Sequence, residues 1–222
     1  MTLPRLRSRG TTRRLAVVDA YQFPGSVRQR FAYQHEALST EDVRTVEAGA
    51  RQWFRLAARH PRARLAMPSV IVDEMWHELV LHTRDYAQFC DAAFVRFLHH
   101  TPESAMSVQA AAANRAAGLG MTFRLAQQDE GGEAGRLPLL FRVDQELGVS
   151  GGRRYLADCG GRGQCHDMPG TLCLQHVDGP GRSPRGHRDH SQSPHGGAAG
   201  HGGGAAGCGG GGCGGGGCGG GS

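Results

Sequence analysis

Lysine is absent: all 25 basic residues of the 222-residue chain are arginine. Uniform arginine reads as the mark of a GC-rich gene rather than of selection for guanidinium chemistry. No run of eighteen apolar residues occurs, so no membrane span is expected. The N-terminus lacks the apolar stretch of a signal peptide, which points to the cytoplasm. There the seven cysteines stay mostly reduced, and their odd number argues against a simple disulfide framework. Before Gly151 no stretch alternates polar and apolar residues over six positions, so strands are not expected there. Paired Cys-x2-Cys knuckles and an aromatic-rich RNA-binding segment are also missing.

What is present divides the chain into four parts. Residues 1–14 form a basic arm: Arg5, Arg7, Arg9, Arg13 and Arg14 precede the first acid, Asp19. Such an arm suits nucleic acid or an anionic surface, but it reads first as a solvated, frayed terminus. Residues 15–150 carry helical periodicity. Pro24 starts a short helix with Val27 and Phe31 on one side. Ser39-Thr40-Glu41-Asp42 reads as an N-terminal cap, followed by Val43, Val46, Ala50, Trp53, Phe54 and Ala57 at helical spacing up to His60-Pro61. Pro68-Ser69 opens a third helix. On it Val72, Trp76, Leu79, Thr83, Tyr86, Cys90, Phe94 and Phe97 fall on a single line. A fourth helix is expected from Glu103 to Ala126, bent near Gly118-Leu119-Gly120, and a fifth over Pro138–Leu147. The fold class is therefore all-α, a compact domain of four to five helices.

Residues 151–177 form a Gly-rich, irregular segment holding Cys159, Cys165, Cys173 and His176. Three thiols and an imidazole are enough for a tetrahedral zinc site, though also for a redox pair or for incidental thiols. Residues 178–222 are Gly, His, Pro, Ser and Arg, ending in Gly, Ala and Cys. They have too few apolar side chains to offset the entropy of ordering, which predicts a disordered tail. Cys208, Cys213 and Cys218, with His187, His190, His195 and His201, could bind metal, link copies of the chain, or have no role.

The densest chemistry lies in the third helix. Asp73 and His77 are four residues apart and so are neighbours on one face. A carboxylate beside an imidazole starts a two-ligand site for zinc or another divalent transition metal, or makes an ordinary surface hydrogen bond. The pair lies beside the apolar stripe rather than on it, while Trp76, Tyr86 and Cys90 lie on the stripe. His99 and His100 follow much later. On a continuous helix, at 1.5 Å per residue, they would stand about 33 Å from His77. His100 can join only if the chain turns back.

The run Pro68-Ser69-x-x-Val72-Asp73-x-x-Trp76-His77, then Tyr86 and His100, resembles the glycine-rich domain-containing proteins of plants and bacteria. Ala50-Arg51-Gln52-Trp53-Phe54 is similar to that family's Arg-aromatic segment. The likeness covers about residues 16–102 and implies that Asp73, Trp76, His77, Tyr86 and His100 form a functional or fold-defining set. Two positions depart from the pattern. Leu79 replaces a second His, which removes a ligand. Val95 replaces a Gly, which works against the turn that would return His100. The resemblance implies no reaction.

The expected function is a non-enzymatic binding or interaction module with a metal site at Asp73, His77 and His100. Its partner would be another protein, or a second copy through the tail. The alternatives are a metal-dependent enzyme using the same residues and a nucleic-acid-associated protein acting through the arginine-rich arm.

Overall fold

The computed structural model describes residues 3–101, 107–132, 135–159 and 168–177, all within one unit, Met1–Ser183. It is mostly helical. In chain order the elements are α1 (Leu3–Ala20), α2 (Gly25–Gln34), α3 (Thr40–Arg59), α4 (Val70–Leu81), α5 (Thr83–Ala93), α6 (Val108–Glu130), α7 (Leu139–Glu146), β1 (Arg154–Leu156), β2 (Thr171–Cys173) and α8 (Leu174–Val177). Everything expected of residues 178–222 lies outside the described residues.

Helix α3 is the central element, packed by α1, α4, α6 and α7. Its start is local chemistry: the Ser39 hydroxyl accepts from the Asp42 N–H, and Asp42 accepts from the Ser39 N–H. This reciprocal capping box satisfies two donors that an uncapped helix would leave open. The Ser39 bonds hold the Asp42 carboxyl below the usual carboxylate range. Val46, Ala50, Phe54, Leu56 and Ala58 are fully buried. Neighbouring helices also satisfy the polar positions of α3. Buried Glu47 takes Arg28 of α2, and Arg51 one turn on along α3 itself. Arg55 and Arg59 converge on Asp129 at 2.8 and 2.9 Å. Gln52 reaches Glu130 at 2.8 Å and accepts from the Leu140 N–H at 3.0 Å, which ties α3 to the start of α7.

Four sequence expectations need correction. First, the basic arm does not part from the helical domain at residue 14: α1 runs unbroken from Leu3 to Ala20. It packs on α3 and α5, so burial of residues such as Val18 holds it in place.

Second, the long third helix is two helices. His82, at φ −84° and ψ 61°, leaves the helical region and separates α4 from α5. Val72, Trp76 and Leu79 on α4 and Tyr86 and Cys90 on α5 face inward at helical spacing across the break, whereas Thr83 is exposed and Phe94 and Phe97 lie beyond the end of α5. Asp85 in the first turn of α5 is its local signature.

Third, α6 runs through Gly118 and Gly120 with no interruption. Gly118 is required by proximity: a Cβ there would come within 2.9 Å of the Ala66 N and 3.0 Å of the Leu65 C. Thr122, one turn on, takes the Ala66 N–H at 3.0 Å and donates to the Gly118 carbonyl. Gly118→Ala is therefore expected to push α6 off the segment leading into α4 and to cost about 1–3 kcal/mol, as overpacking does. Urea denaturation would measure this, and a loss below about 0.5 kcal/mol would contradict it.

Fourth, residues 151–177 are not wholly irregular. Strands β1 and β2 pair in parallel, Arg154 to Thr171 through Leu156 to Cys173. Tyr155 is buried against Phe141, with ring centroids 5.0 Å apart.

Candidate functional site

The site is built on α4, and α4 is held at its first turn. The Ser69 hydroxyl caps it by accepting from the Val72 N–H at 3.1 Å. Behind Ser69 stands Asp144 of α7, a buried carboxylate. It accepts from the Ser69 hydroxyl at 2.6 Å, the Val70 N–H at 2.9 Å, the Ile71 N–H at 3.3 Å and the Arg153 N–H at 2.9 Å. A negative charge at a helix N-terminus is favoured by the helix dipole as well as by these bonds. Tyr155 adds a hydrogen bond to the Pro68 carbonyl at 2.8 Å. The Pro-Ser opening of the motif is thus clamped from both α7 and β1.

After α5 the chain turns back. Phe94 is extended, at φ −122° and ψ 162°, and residues 94–100 return toward α4. The motif aromatics hold this return. The Trp76 indole N–H donates to the Tyr86 hydroxyl at 3.0 Å, and that hydroxyl donates to the Leu98 carbonyl. Burial pushes the Tyr86 hydroxyl far above the ordinary phenol range, so it stays a donor at any working pH. Phe97 packs edge-on against Tyr86, centroids 5.4 Å apart.

His100 arrives over Trp76, with ring centroids 4.5 Å apart at 72°. Its Nε2 lies 3.0 Å from Asp73 Oδ1. Its ring centroid is 5.4 Å from that of His77. Val95 does not prevent the return: it sits on the outside of the turn, 64% exposed. The expected Asp73–His77 bond is replaced by Asp73–His100. The reason is burial. The His100 side chain is 3% exposed and needs a protein partner, whereas exposed His77 has water.

A cleft of about 710 Å³ opens beside this group, lined by Asp73, Glu74, His77, Glu78 and His100 from the motif and by Arg30 and His35 from the α2 side. It contains a second acid–imidazole contact, with Glu74 Oε2 3.1 Å from His35 Nε2. The two are not aligned for a hydrogen bond, and this buried oxygen has no other partner. Burial raises the Glu74 carboxyl above its ordinary value, His35 opposes this, and Asp144 and Asp73 add to the rise. Glu78 is the opposite case. Burial raises it, but bonds from Arg30 at 2.7 Å and Gln34 at 2.9 Å outweigh burial and hold it below the usual range.

The other expected site residues separate from this cluster. Cys90 is buried core, and burial pushes its thiol up, which makes it a poor nucleophile. Cys159 and Cys173 are buried, and the Cys159 thiol donates to Gln175 at 3.4 Å. Cys165 and the His176 side chain lie outside the described residues. Asp144, His35 and Glu74 are the participants that sequence reasoning missed. Only Glu74 had a local signal, standing next to Asp73. Among the described residues no group of three or more His, Cys, Asp or Glu is placed to hold a metal ion as the side chains stand. Among them, too, no helix is long and apolar enough to cross a membrane.

The fold and this cluster define a helical protein with an acid–imidazole cleft. A family model, UCP032817-like, matches residues 13–177, and the chain belongs to that family. No curated protein and no solved structure matches it.

Proposed function

We propose that the protein is a binding module that takes a divalent transition metal of the zinc class through His77, His100 and Asp73. The observation that carries this is the return of His100 to Asp73 and His77, held by three buried or half-buried side chains and a backbone carbonyl. The donor chemistry fits: two imidazoles and a carboxylate are a common three-ligand set for zinc with one open position. The spacing supports it. Two imidazoles sharing a tetrahedral ion at 2.0–2.1 Å would have centroids about 5 Å apart, against the 5.4 Å here. The metal would displace the hydrogen bond between Asp73 and His100, and the exposed His77 ring would rotate inward. The likeness to the glycine-rich domain proteins rests on these same residues.

A second reading, a metal-dependent enzyme with the same ligands, is favoured by one feature. The donors stand on the wall of an open cleft rather than in a closed cage, which leaves a coordination position facing solvent.

Elemental analysis and zinc titration of the full chain test the proposal. One equivalent of metal is expected beyond whatever the tail holds. His100→Ala and His77→Ala should each abolish that equivalent, and Asp73→Asn should weaken it about 10–100-fold. If metal is lost only when the chain is cut after Val177, the cluster is not a metal site. Turnover of a metal-hydrolysable ester that vanishes in His77→Ala would favour the enzyme reading.

A further inference from the structure

A second concavity shares no lining residue with the first. It has two joined chambers. The inner one, about 200 Å³, is walled by Trp53, Trp76, Phe94 and Leu98 and edged by His60 and His99. The outer one, about 740 Å³, carries Arg14, Arg59, Arg62 and Arg96. His60, Pro61, Ala63, Val95 and Arg96 line both, so the chambers are continuous. It lies on the far side of the returning segment in one specific sense: His99 borders this groove and His100 borders the acid–imidazole cleft.

Its chemistry is one-sided. Among the described residues no carboxylate lines either chamber. Arg59 is committed to Asp129 at its rear, while exposed Arg62 and Arg96 have no ion pair among the described residues. Two donors are left over. The Trp53 indole N–H and the Arg14 Nε are buried without an acceptor, although Arg14 reaches Thr11 at 3.0 Å through another nitrogen. A buried donor left unsatisfied costs about 1–3 kcal/mol, and native proteins leave few of them. Trp76 differs, since its N–H is used by Tyr86. Size narrows the occupant further. A dry cavity of about 150 Å³ holds a benzene ring, so the inner chamber admits one ring system and little more.

We propose that this groove binds an aromatic phosphate of the nucleoside monophosphate class. The planar ring enters at the mouth of the inner chamber, against exposed His99 and the edges of Trp53 and Phe94, which are 5% and 8% exposed, and the Trp53 indole turns outward to offer its N–H to an acceptor on the ligand. The phosphate lies between Arg62, Arg96 and Arg14, where planar guanidiniums bind phosphate oxygens in pairs. Aromatic stacking combined with arginine contacts is the general means of holding a base and its phosphate.

Both tryptophans of the chain line the inner chamber, so intrinsic fluorescence reads occupancy directly. The full chain is titrated with AMP, UMP, their nucleosides and inorganic phosphate. A saturable change in tryptophan emission is expected with at least one nucleotide. The paired substitution Arg62→Ala with Arg96→Ala, both at exposed positions, should weaken it at least tenfold with an unchanged circular dichroism spectrum. Trp53→Phe, which keeps a ring and loses the N–H, should weaken it several-fold, read from the remaining Trp76. The proposal is overturned if no nucleotide gives a saturable change, or if the paired substitution leaves affinity intact. It is equally overturned if inorganic phosphate or the free nucleosides bind as tightly as the nucleotides. The titrations are run on metal-stripped protein, because Trp76 also packs against His100 and metal there would alter its emission.

Discussion

Asp144→Ala is expected to destabilise the protein by about 3–5 kcal/mol, the range for removing one partner of a buried, hydrogen-bonded charge. The carboxylate is 3% exposed and satisfies three backbone N–H groups and the Ser69 hydroxyl. Truncation leaves those donors facing a cavity. Two of them, on Val70 and Ile71, belong to the first turn of α4, which has no intrahelical acceptors. Loss of a cap alone costs about 1 kcal/mol, so most of the expected effect comes from desolvated donors. Asp144→Asn should be milder, because its amide oxygen still accepts while its amide nitrogen meets a donor. Equilibrium urea unfolding at constant m-value measures both. A loss under about 1.5 kcal/mol for the alanine variant would show that water enters and replaces the carboxylate.

Tyr86→Phe comes second in size and bears more directly on function. It removes one oxygen but breaks two hydrogen bonds, stranding the Trp76 N–H and the Leu98 carbonyl. About 2–4 kcal/mol of stability should go, since each stranded group costs about 1–3 kcal/mol when buried and Leu98 is partly solvated. The larger consequence is local. Residues 94–100 lose their central tether, so His100 spends less time beside Asp73. Zinc affinity should fall at least tenfold, and limited proteolysis within residues 94–100 should accelerate. Faster proteolysis with unchanged zinc affinity would mean that zinc binding does not depend on how this segment positions His100. Trp76→Phe is the control: it strands no carbonyl, and its effect on cleavage should be smaller.

The two variants show where sequence reading succeeds and where it stops. The start of α3 was legible because Ser39 and Asp42 cap within three residues of each other. The opening of α4 at Ser69 was legible for the same reason, and the end of α3 at His60 because Pro61 follows it. The apolar stripe placed Val72, Trp76, Tyr86 and Cys90 in the core, where they are. It did not reveal that the stripe belongs to two helices, because Tyr86 and Cys90 after His82 keep helical spacing with Val72, Trp76 and Leu79 before it; only the exposed Thr83 departs from the inward face. Val95 was misleading in the other direction. A glycine is needed only where the backbone must take a conformation closed to side chains, and the return to His100 proceeds through Val95 without one.

Everything the chain decided alone was local: helix starts, apolar faces, and the adjacency of Asp73 and His77 one turn apart. These follow from interactions between residues within about four positions, which periodicity and capping record directly. The partner of Asp73 is 27 residues away, and the carboxylate that anchors Ser69 is 75 residues away. Contacts at such separations depend on how helices pack, and any segment of suitable burial could supply them. Tertiary structure alone therefore turned Asp73 from a neighbour of His77 into the partner of His100. It also placed His99 and His100, adjacent in the chain, on the walls of two different concavities.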